Sequence, residues 1–431
     1  MAEWSGRQGT VHVRRPALRS DTLWLAGLCA ARIGSSVPFL AYAALLPLLQ
    51  TEWAMSATAA GSISSAFQLG FAVSLVVFSA LADRVGARRI FLWSSGATAG
   101  ATALIPLLAG SYLSGLVMFT LLALSSGGTY TPGLMLLADR FPPQRRGTAI
   151  GWFLASASLG YALSLTVTGL LVSWAGWRGT LWVLALGPAI ATLVSVWALR
   201  GTAEGHVALG GGGSLRKDFF GNRPALLIMA GYTFHSWEVL GMWAWMPAFI
   251  TAALAARGRD VVTATGLGAN LSAILHLMGL VATSAGGWLS DRWGRTAVIV
   301  WMLAVSGACS FTVGWLLTAP LLLLLAVGLA YAFSAIGDSP VFSTGFTELV
   351  DPRLLGSALA VRSLAGFGAG ALASLAFGLI LDLTNPAGSG PRYQVWGWAF
   401  SVLGLGALLG VVSTIWLRAF PESRRMAGGK R

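Results

Sequence analysis

The chain has 431 residues, of which 56% are hydrophobic and only 10% are charged, and its formal net charge is +13. A soluble globular domain carries about 25% charged residues, so this composition excludes an ordinary soluble enzyme or binding domain. Apolar runs of about 20 residues or more recur along the whole chain, and each is long enough to cross a hydrocarbon layer about 30 Å thick. Backbone polar groups in lipid must be hydrogen-bonded internally, so these runs are predicted to be helices.

The apolar runs predict an all-α polytopic membrane protein with twelve transmembrane helices. The predicted spans cover residues 22–50, 57–82, 90–109, 112–138, 148–172, 180–199, 224–252, 265–290, 296–317, 321–349, 355–383 and 395–417. A polar, glycine-rich segment follows the sixth span and is predicted to be a flexible connector. The predicted organisation is therefore a tail (1–21), a six-helix bundle (22–199), the connector (200–223), a second six-helix bundle (224–417) and a second tail (418–431).

Basic residues are distributed unequally between the two ends of these spans. If both termini and the connector share one face, 22 of the 28 Lys and Arg residues lie on that face, 4 lie on the other, and Arg32 and Arg362 lie inside spans. This bias predicts that both termini are cytoplasmic, in a multi-pass protein of the inner (plasma) membrane. The positive charge is thus explained by topology, and nucleic acid is not predicted as a partner. We expect a monomer surrounded by the lipid bilayer.

Two short charged loops interrupt the apolar runs at equivalent places. Residues 79–89 read SALADRVGARR and residues 287–295 read GWLSDRWGR, with the two Asp-Arg pairs 208 positions apart. Thr131-Pro132 in span 4 also aligns with Ser339-Pro340 in span 10. Both dipeptides are predicted to mark points where the helices flex, because proline removes a backbone hydrogen bond. Two related six-helix halves are typical of a transporter, with the solute site near the membrane midplane between them.

These motifs resemble those of the major facilitator superfamily, and the resemblance covers nearly the whole chain. The family's loop signature, Gly-x-Leu-x-Asp-Arg-x-Gly-Arg-Arg, is similar to residues 79–89, where Ser79 replaces the first Gly and Ala87 replaces one Arg. The resemblance implies two pseudo-symmetric six-helix bundles and a secondary transporter that works by alternating access, without a cofactor. It also implies that six loop residues act in gating, although they could instead only enforce topology: Asp83, Arg84, Arg88, Asp291, Arg292 and Arg295.

Ionisable side chains inside the spans are the strongest functional signal in the sequence, because charge at membrane depth is costly. There are six of them: Arg32, His235, Glu238, His276, Asp338 and Arg362. In the fold that the resemblance implies, all six lie on spans that line or flank the central cavity. His276 is expected to be a packing residue more often than a functional one.

Helical spacing adds polar and aromatic side chains to these charges. The predicted solute-binding residues are Arg32, Ser35, Phe39, Tyr42, His235, Trp245, Tyr331 and Arg362. Such half-polar stripes are expected of a pocket for a small amphiphilic solute, and the alternative is a packed interface with a few hydrogen-bonded polar groups. Arg32 can bind a carboxylate in a forked geometry, the alternative being a structural pair with Glu238 or Asp338.

Three residues are predicted to couple transport to protons. Glu238 is the first candidate, because burial favours the neutral form of a carboxyl group. Asp338 is the second, and a static bridge to Arg362 is its main competing role. His235, three residues before Glu238, could relay a proton or simply be a satisfied pocket histidine.

The sequence therefore predicts a proton-coupled symporter of a small, carboxylate-like anion. Drug exporters of the resembling superfamily usually carry a Gly-Pro signature in span 5, and residues 156–162 here read SASLGYA. The alternatives are a proton-driven exporter of drugs or amphiphiles, or a lipid-headgroup flippase. An intramembrane enzyme is disfavoured, because the sequence has neither a His-Glu-x-x-His motif nor a nucleophile–base pattern.

Overall fold

The structure is a computed structural model that describes residues 21–204, 219–351, 353–386 and 393–430. We call residues 21–204 the first half and residues 219–430 the second half. Residues 1–20 of the predicted N-terminal tail, most of the predicted connector and Arg392 lie outside the described residues. The division into two bundles with those boundaries therefore stays a prediction.

The described chain is helical throughout, with no strand in these ranges. The first half contains Asp21–Ser36 (α1), Ala41–Glu52 (α2), Ala57–Val85 (α3), Ala87–Leu108 (α4), Tyr112–Ser126 (α5), Thr131–Arg140 (α6) and Pro143–Ala198 (α7). The second half contains Arg223–Ala255 (α8), Val261–Trp293 (α9), Arg295–Val313 (α10), Leu321–Gly337 (α11), Ser339–Leu349 (α12), Leu355–Thr384 (α13) and Gly397–Ala419 (α14).

Eleven helical segments of the described chain are long and apolar enough to cross a membrane. One of them, Gln144–Ala198, has 55 residues, far more than the about 20 that one crossing needs. It bends at Gly176, whose φ of 63° and ψ of −179° are not helical and are readily adopted only by glycine. Counted as two crossings, this segment gives the twelve that hydropathy predicts. The prediction of an all-α polytopic fold is confirmed.

Three crossings are interrupted at a proline, which cannot donate the backbone hydrogen bond that continues a helix. α5 and α6 are separated at Gly127–Thr129, just before Pro132, and α11 and α12 meet at Asp338, just before Pro340. These two breaks are predicted from the sequence. The third, a short 3-10 turn at Val37–Leu40 between α1 and α2, is not, although Gly34-Ser35-Ser36 just before Pro38 is a local turn signal.

The two halves contact each other closely at one end of the bundle. The second and eighth crossings end on the face that carries the charged loops, which we call the basic face; the other end is the opposite face. Near the opposite face α3 packs on α13, and α7 packs on α9. A Cβ added at Gly61 of α3 would lie 2.5 Å from the carbonyl oxygen of Ser374 on α13. Small residues let the helices approach to this distance.

Replacing Gly61 by alanine is expected to destabilise the protein by about 1–3 kcal/mol, because the new methyl group forces two helix backbones apart. The measurement is the midpoint of thermal unfolding of the purified protein in detergent, which should fall by a few degrees. Gly100→Ala on α4 is the matched control, since nothing lies within 4 Å of the added Cβ. Equal midpoints for the two variants would contradict the close α3–α13 approach.

Candidate functional site

A cavity of about 360 Å³ lies between α3, the segment around Tyr130, α6 and α13. It reaches the basic face, where its wall includes exposed Asp83. Its walls are mainly apolar, with Leu75, Leu134 and Leu359 among them, and the polar side chains of Tyr130 and Arg362 also line it. The cavity therefore offers an apolar volume with a cationic group in its wall.

An aromatic cluster joins the two halves farther from the basic face. The ring of Phe39 lies 5.3 Å from Phe71 and 4.7 Å from Tyr161, and Phe71 in turn lies 5.1 Å from Phe367 of the second half. Beyond it, Phe39 and Tyr42 line only a small separate cavity of about 40 Å³. The space between the halves is thus wide toward the basic face and narrow toward the opposite face.

Arg32 lies on α1 and is 5% exposed. Its Nη1 donates a hydrogen bond to Thr129 Oγ1 at 2.9 Å, and its guanidinium lies 5.3 Å from the Tyr130 ring and 5.6 Å from the Phe153 ring. Its Nε has no hydrogen-bond partner, and no carboxylate of the described residues pairs with it. The alternative in which Arg32 pairs with an acidic side chain of the second half is therefore not observed.

Arg362 occupies a similar environment in the second half. It is 8% exposed and its Nη1 donates to Ser343 Oγ at 3.2 Å. Its guanidinium lies 4.2 Å from the Tyr232 ring and 5.3 Å from the Phe346 ring, and its Nε has no partner. The competing bridge between Arg362 and Asp338 is not formed, because depth along two helices does not fix the direction in which their side chains point.

Tyr130 is associated with both arginines: its ring lies 5.3 Å from the Arg32 guanidinium, and it lines the large cavity together with Arg362. Each guanidinium contacts aromatic rings of its own half. A neutral ring attracts a cation but does not cancel its charge. Neither Tyr130 nor Tyr232 is predicted from the sequence as a site residue. The available signals are that Tyr130 directly precedes the predicted break at Pro132, and that Tyr232 lies three residues before His235.

A buried acid–histidine pair, Asp338 and His235, lies beside Tyr232. His235 Nδ1 on α8 is 2.9 Å from Asp338 Oδ1 at the α11–α12 break, which is within ion-pair distance although the angles are not those of a regular hydrogen bond. The two side chains are 3% and 0% exposed. The His235 ring lies 5.7 Å from the Tyr232 ring, and the Arg362 guanidinium lies 4.2 Å from the same Tyr232 ring. The predicted coupling residues His235 and Asp338 are therefore brought together. Tyr232 contacts both His235 and Arg362, and Arg362 lines the large cavity.

Glu238 points in another direction, into the interior of the second half. Ser306 on α10 donates a hydrogen bond to Glu238 Oε2 at 2.9 Å, and Tyr331 lies beside it. Its Oε1 has no hydrogen-bond partner in the described structure. The expectation that Glu238 faces the same opening as His235 is not met. Three residues along a helix differ by about 60° in direction, which is enough to turn a side chain from one neighbouring helix to another.

Other predicted binding residues serve helix packing. Trp245 stacks on Phe377 and donates to the Ser374 carbonyl at 3.0 Å. The Tyr331 and Tyr42 hydroxyls donate to Ser310 Oγ at 3.0 Å and to the Ala60 carbonyl at 2.9 Å. The stripes predicted as pocket walls partly face neighbouring helices of the same half. Of the eight predicted binding residues only Arg362 lines the large cavity, and the others do not: Arg32, Ser35, Phe39, Tyr42, His235, Trp245 and Tyr331.

His276 also packs, as expected, with its ring 4.9 Å from Trp243 and 5.7 Å from Tyr161.

The charged loops on the basic face form ion pairs within each half. Arg295 pairs with Asp291 at 2.5 Å and with Glu348 at 3.0 Å. Arg88 pairs with Glu204 at 3.4 Å. The Arg292 guanidinium lies 4.0 Å from the Trp288 ring, while Asp83 and Arg84 are exposed. Among the described residues, no ion pair of these loops joins the two halves, and the gating roles remain a prediction.

Comparison with known proteins agrees with this architecture. The sequence profile of the Major Facilitator Superfamily matches residues 24–347. The chain is 26% identical to the "Probable 4-methylmuconolactone transporter" of Cupriavidus pinatubonensis, over 84% of each protein. It is 28% identical to the "Chloramphenicol resistance protein" of Streptomyces lividans, over 81% of this chain and 87% of that protein. It is 24% identical to the "Probable sulfoacetate transporter SauU" of Cupriavidus necator, over 79% and 82% respectively.

Among solved structures, the fold is similar to a bacterial homologue of the human lysosomal transporter Spinster in its inward-facing and occupied conformation. The TM-score is 0.72 at 18% identity, and the match covers 93% of this chain and 97% of that one. At this identity the similarity shows the fold alone. The helical crossings, the repeated charged loops and the profile match over three quarters of the sequence lead to one conclusion: the chain belongs to the Major Facilitator Superfamily and is a multi-pass membrane transporter, not an enzyme.

Proposed function

We propose that this transporter is a proton-coupled symporter of a small organic anion that carries a carboxylate or sulfonate group. The observation that carries the proposal is the pair of buried arginines, Arg32 and Arg362, one from each half. Neither has a carboxylate partner among the described residues, and Tyr130 contacts Arg32 and lines the large cavity with Arg362. The names of two relatives, which refer to 4-methylmuconolactone and to sulfoacetate, support the same class of solute.

The arginine pair suits an anion for an energetic reason. A buried cation without a counter-ion costs several kcal/mol, so an anionic ligand that reaches it is stabilised. A guanidinium can bind a carboxylate through two parallel hydrogen bonds. An anion held by Arg32 and Arg362 together also links the two halves, which is the event that alternating access requires. The apolar walls formed by Leu75, Leu134 and Leu359 would contact the organic part of the solute.

The acidic groups of the second half supply the coupling in this proposal. His235 and Asp338 form a buried pair that is joined to Arg362 through the Tyr232 ring. An anion bound at Arg362 would change the electrostatic field at this pair and so alter its affinity for a proton. Glu238 lies one helical turn away without a cation of the described chain beside it, and we assign it a second proton-binding role.

The orientation follows from the distribution of basic residues. We assign the basic face to the cytoplasm of the inner (plasma) membrane, because the spans predicted from the sequence assign 22 of its 28 Lys and Arg residues to this face. The large cavity then opens toward the cytoplasm, and the structure corresponds to an inward-open state. Both arginines come from one chain, so a monomer suffices for transport.

The test is uptake by proteoliposomes that contain the purified protein. Radiolabelled sulfoacetate and succinate are the anionic probes, and chloramphenicol is the uncharged one. An outside-acidic pH gradient is expected to drive at least one anion above its equilibrium distribution, and a protonophore is expected to abolish this accumulation. Neither anion being accumulated, or accumulation that survives the protonophore, would contradict the proposal.

An exporter of amphiphiles is the second candidate, and two observations favour it. The cavity walls are mainly apolar, and one relative is named for chloramphenicol resistance. In the same proteoliposomes, an exporter is expected to move chloramphenicol against a proton gradient of the reverse direction and to ignore both anions. The uncharged probe therefore separates the two functions in one preparation.

A further inference from the structure

One carboxylate of the second half caps a helix of the first half on the opposite face. Asp382 lies in the last turn of α13, and its two oxygens accept hydrogen bonds from the backbone N–H groups of Ala57 and Thr58 at 2.9 and 2.8 Å. The Thr58 hydroxyl donates to the same carboxylate at 2.7 Å. With Ser56 accepting from the N–H of Ala59, the first three N–H groups of α3 all have partners. A negative charge at this end is favoured by the helix dipole.

The contact is extended by two further side chains. The Tyr393 hydroxyl donates to Asp382 at 3.0 Å, and Gln50 of the first half donates to the Tyr393 oxygen at 3.1 Å. The bonds between Asp382 and α3 and the bond between Gln50 and Tyr393 cross between the halves. They would all have to break for the halves to separate on this face.

We propose that Asp382 is a gate residue of the opposite face, which holds the two halves together there by capping α3. In the state described, Asp382 caps α3 and the opposite face is closed. When the halves separate on this face, Asp382 leaves α3, and the first N–H groups of α3 lose their partner. The cap therefore stabilises the closed state of this face relative to the open one.

The test measures conformation and needs no solute, so it is independent of the proposed substrate. Spin labels are attached to cysteines introduced at Gly110 and Thr318, which lie in loops of different halves on the opposite face, with Cys29 and Cys309 replaced by alanine. Electron–electron double resonance then gives the populations of short and long distances. Asp382→Asn is expected to raise the ratio of long to short distances on the order of tenfold, because a charged helix cap is lost.

Asp260→Asn is the matched control. Asp260 caps α9 on the same face by accepting from the N–H of Thr263 at 3.0 Å, but it lies in the same half as the helix that it caps. This variant should leave the distance distribution unchanged. Equal distributions for the two variants would overturn the proposal.

A second variant keeps the test decisive if Asp382→Asn does not fold. Thr58→Ala removes one of the three bonds from α3 and should shift the populations in the same direction by a smaller amount. A distribution for Thr58→Ala equal to that of the Asp260→Asn control would overturn the proposal.

Discussion

Replacing Arg32 by lysine is expected to raise the KM for the anionic solute roughly ten- to hundredfold, and Arg362→Lys should have a similar effect. Lysine keeps the charge but cannot form two parallel bonds to a carboxylate, nor stack on Tyr130 or Tyr232 as a planar group. Losing a charge-assisted hydrogen bond costs about 1.5–3 kcal/mol, which corresponds to a change of that size. Initial rates of proteoliposome uptake at several solute concentrations provide the measurement.

Arg178→Lys is the control for this experiment. Arg178 is half-exposed, pairs with Glu52 at 3.0 Å and belongs to the opposite face. The KM of the Arg178→Lys variant should therefore equal that of the unmodified protein. If Arg32→Lys and Arg362→Lys both retain full affinity, the forked anion contact is wrong. If only one of them loses affinity, the solute is bound by one half alone.

Asp338→Asn is expected to abolish accumulation driven by the pH gradient while solute exchange continues. The amide keeps the shape of the side chain beside His235 but cannot take up a proton. The pH gradient can then no longer drive transport, although the solute can still be exchanged across the membrane. Glu238→Gln should reduce accumulation in the same way if Glu238 carries a proton as well. The measurement is the accumulation ratio under a gradient, compared with the rate of counterflow between equal pH values.

Asp351→Asn is the matched control for the carboxyl variants. Hydrogen bonds from the Arg353 side chain lower the pKa of Asp351 to about 2. Its folded-state pKa is thus depressed, so Asp351 stays ionised at every pH between 5 and 8 and cannot exchange the coupled proton. Accumulation by this variant should match that of the unmodified protein. Full accumulation by both Asp338→Asn and Glu238→Gln would show that the coupling residues are elsewhere.

Part of the site follows from the sequence because charge in a membrane is costly. The six ionisable residues inside spans include both arginines and the acid–histidine pair that the structure brings together. The side chains that these six residues contact do not follow from the sequence. Asp338 could face Arg362 or His235 from its depth alone, and only the packing of α8 against the α11–α12 break selects His235. Glu238 and Trp245 face neighbouring helices for the same reason.

The sequence by itself determined the helical crossings, the repeated charged loops and the two proline-linked breaks before α6 and α12, since each depends on local hydropathy or backbone chemistry. Only the tertiary structure decided which aromatic rings contact the arginines and which carboxylate caps α3 on the opposite face. Asp382 illustrates the difference, because a carboxylate at a helix end is consistent with simple exposure to water. Its role depends on the crossing of α3 and α13, which places the end of one helix against the beginning of another 325 residues away in the chain.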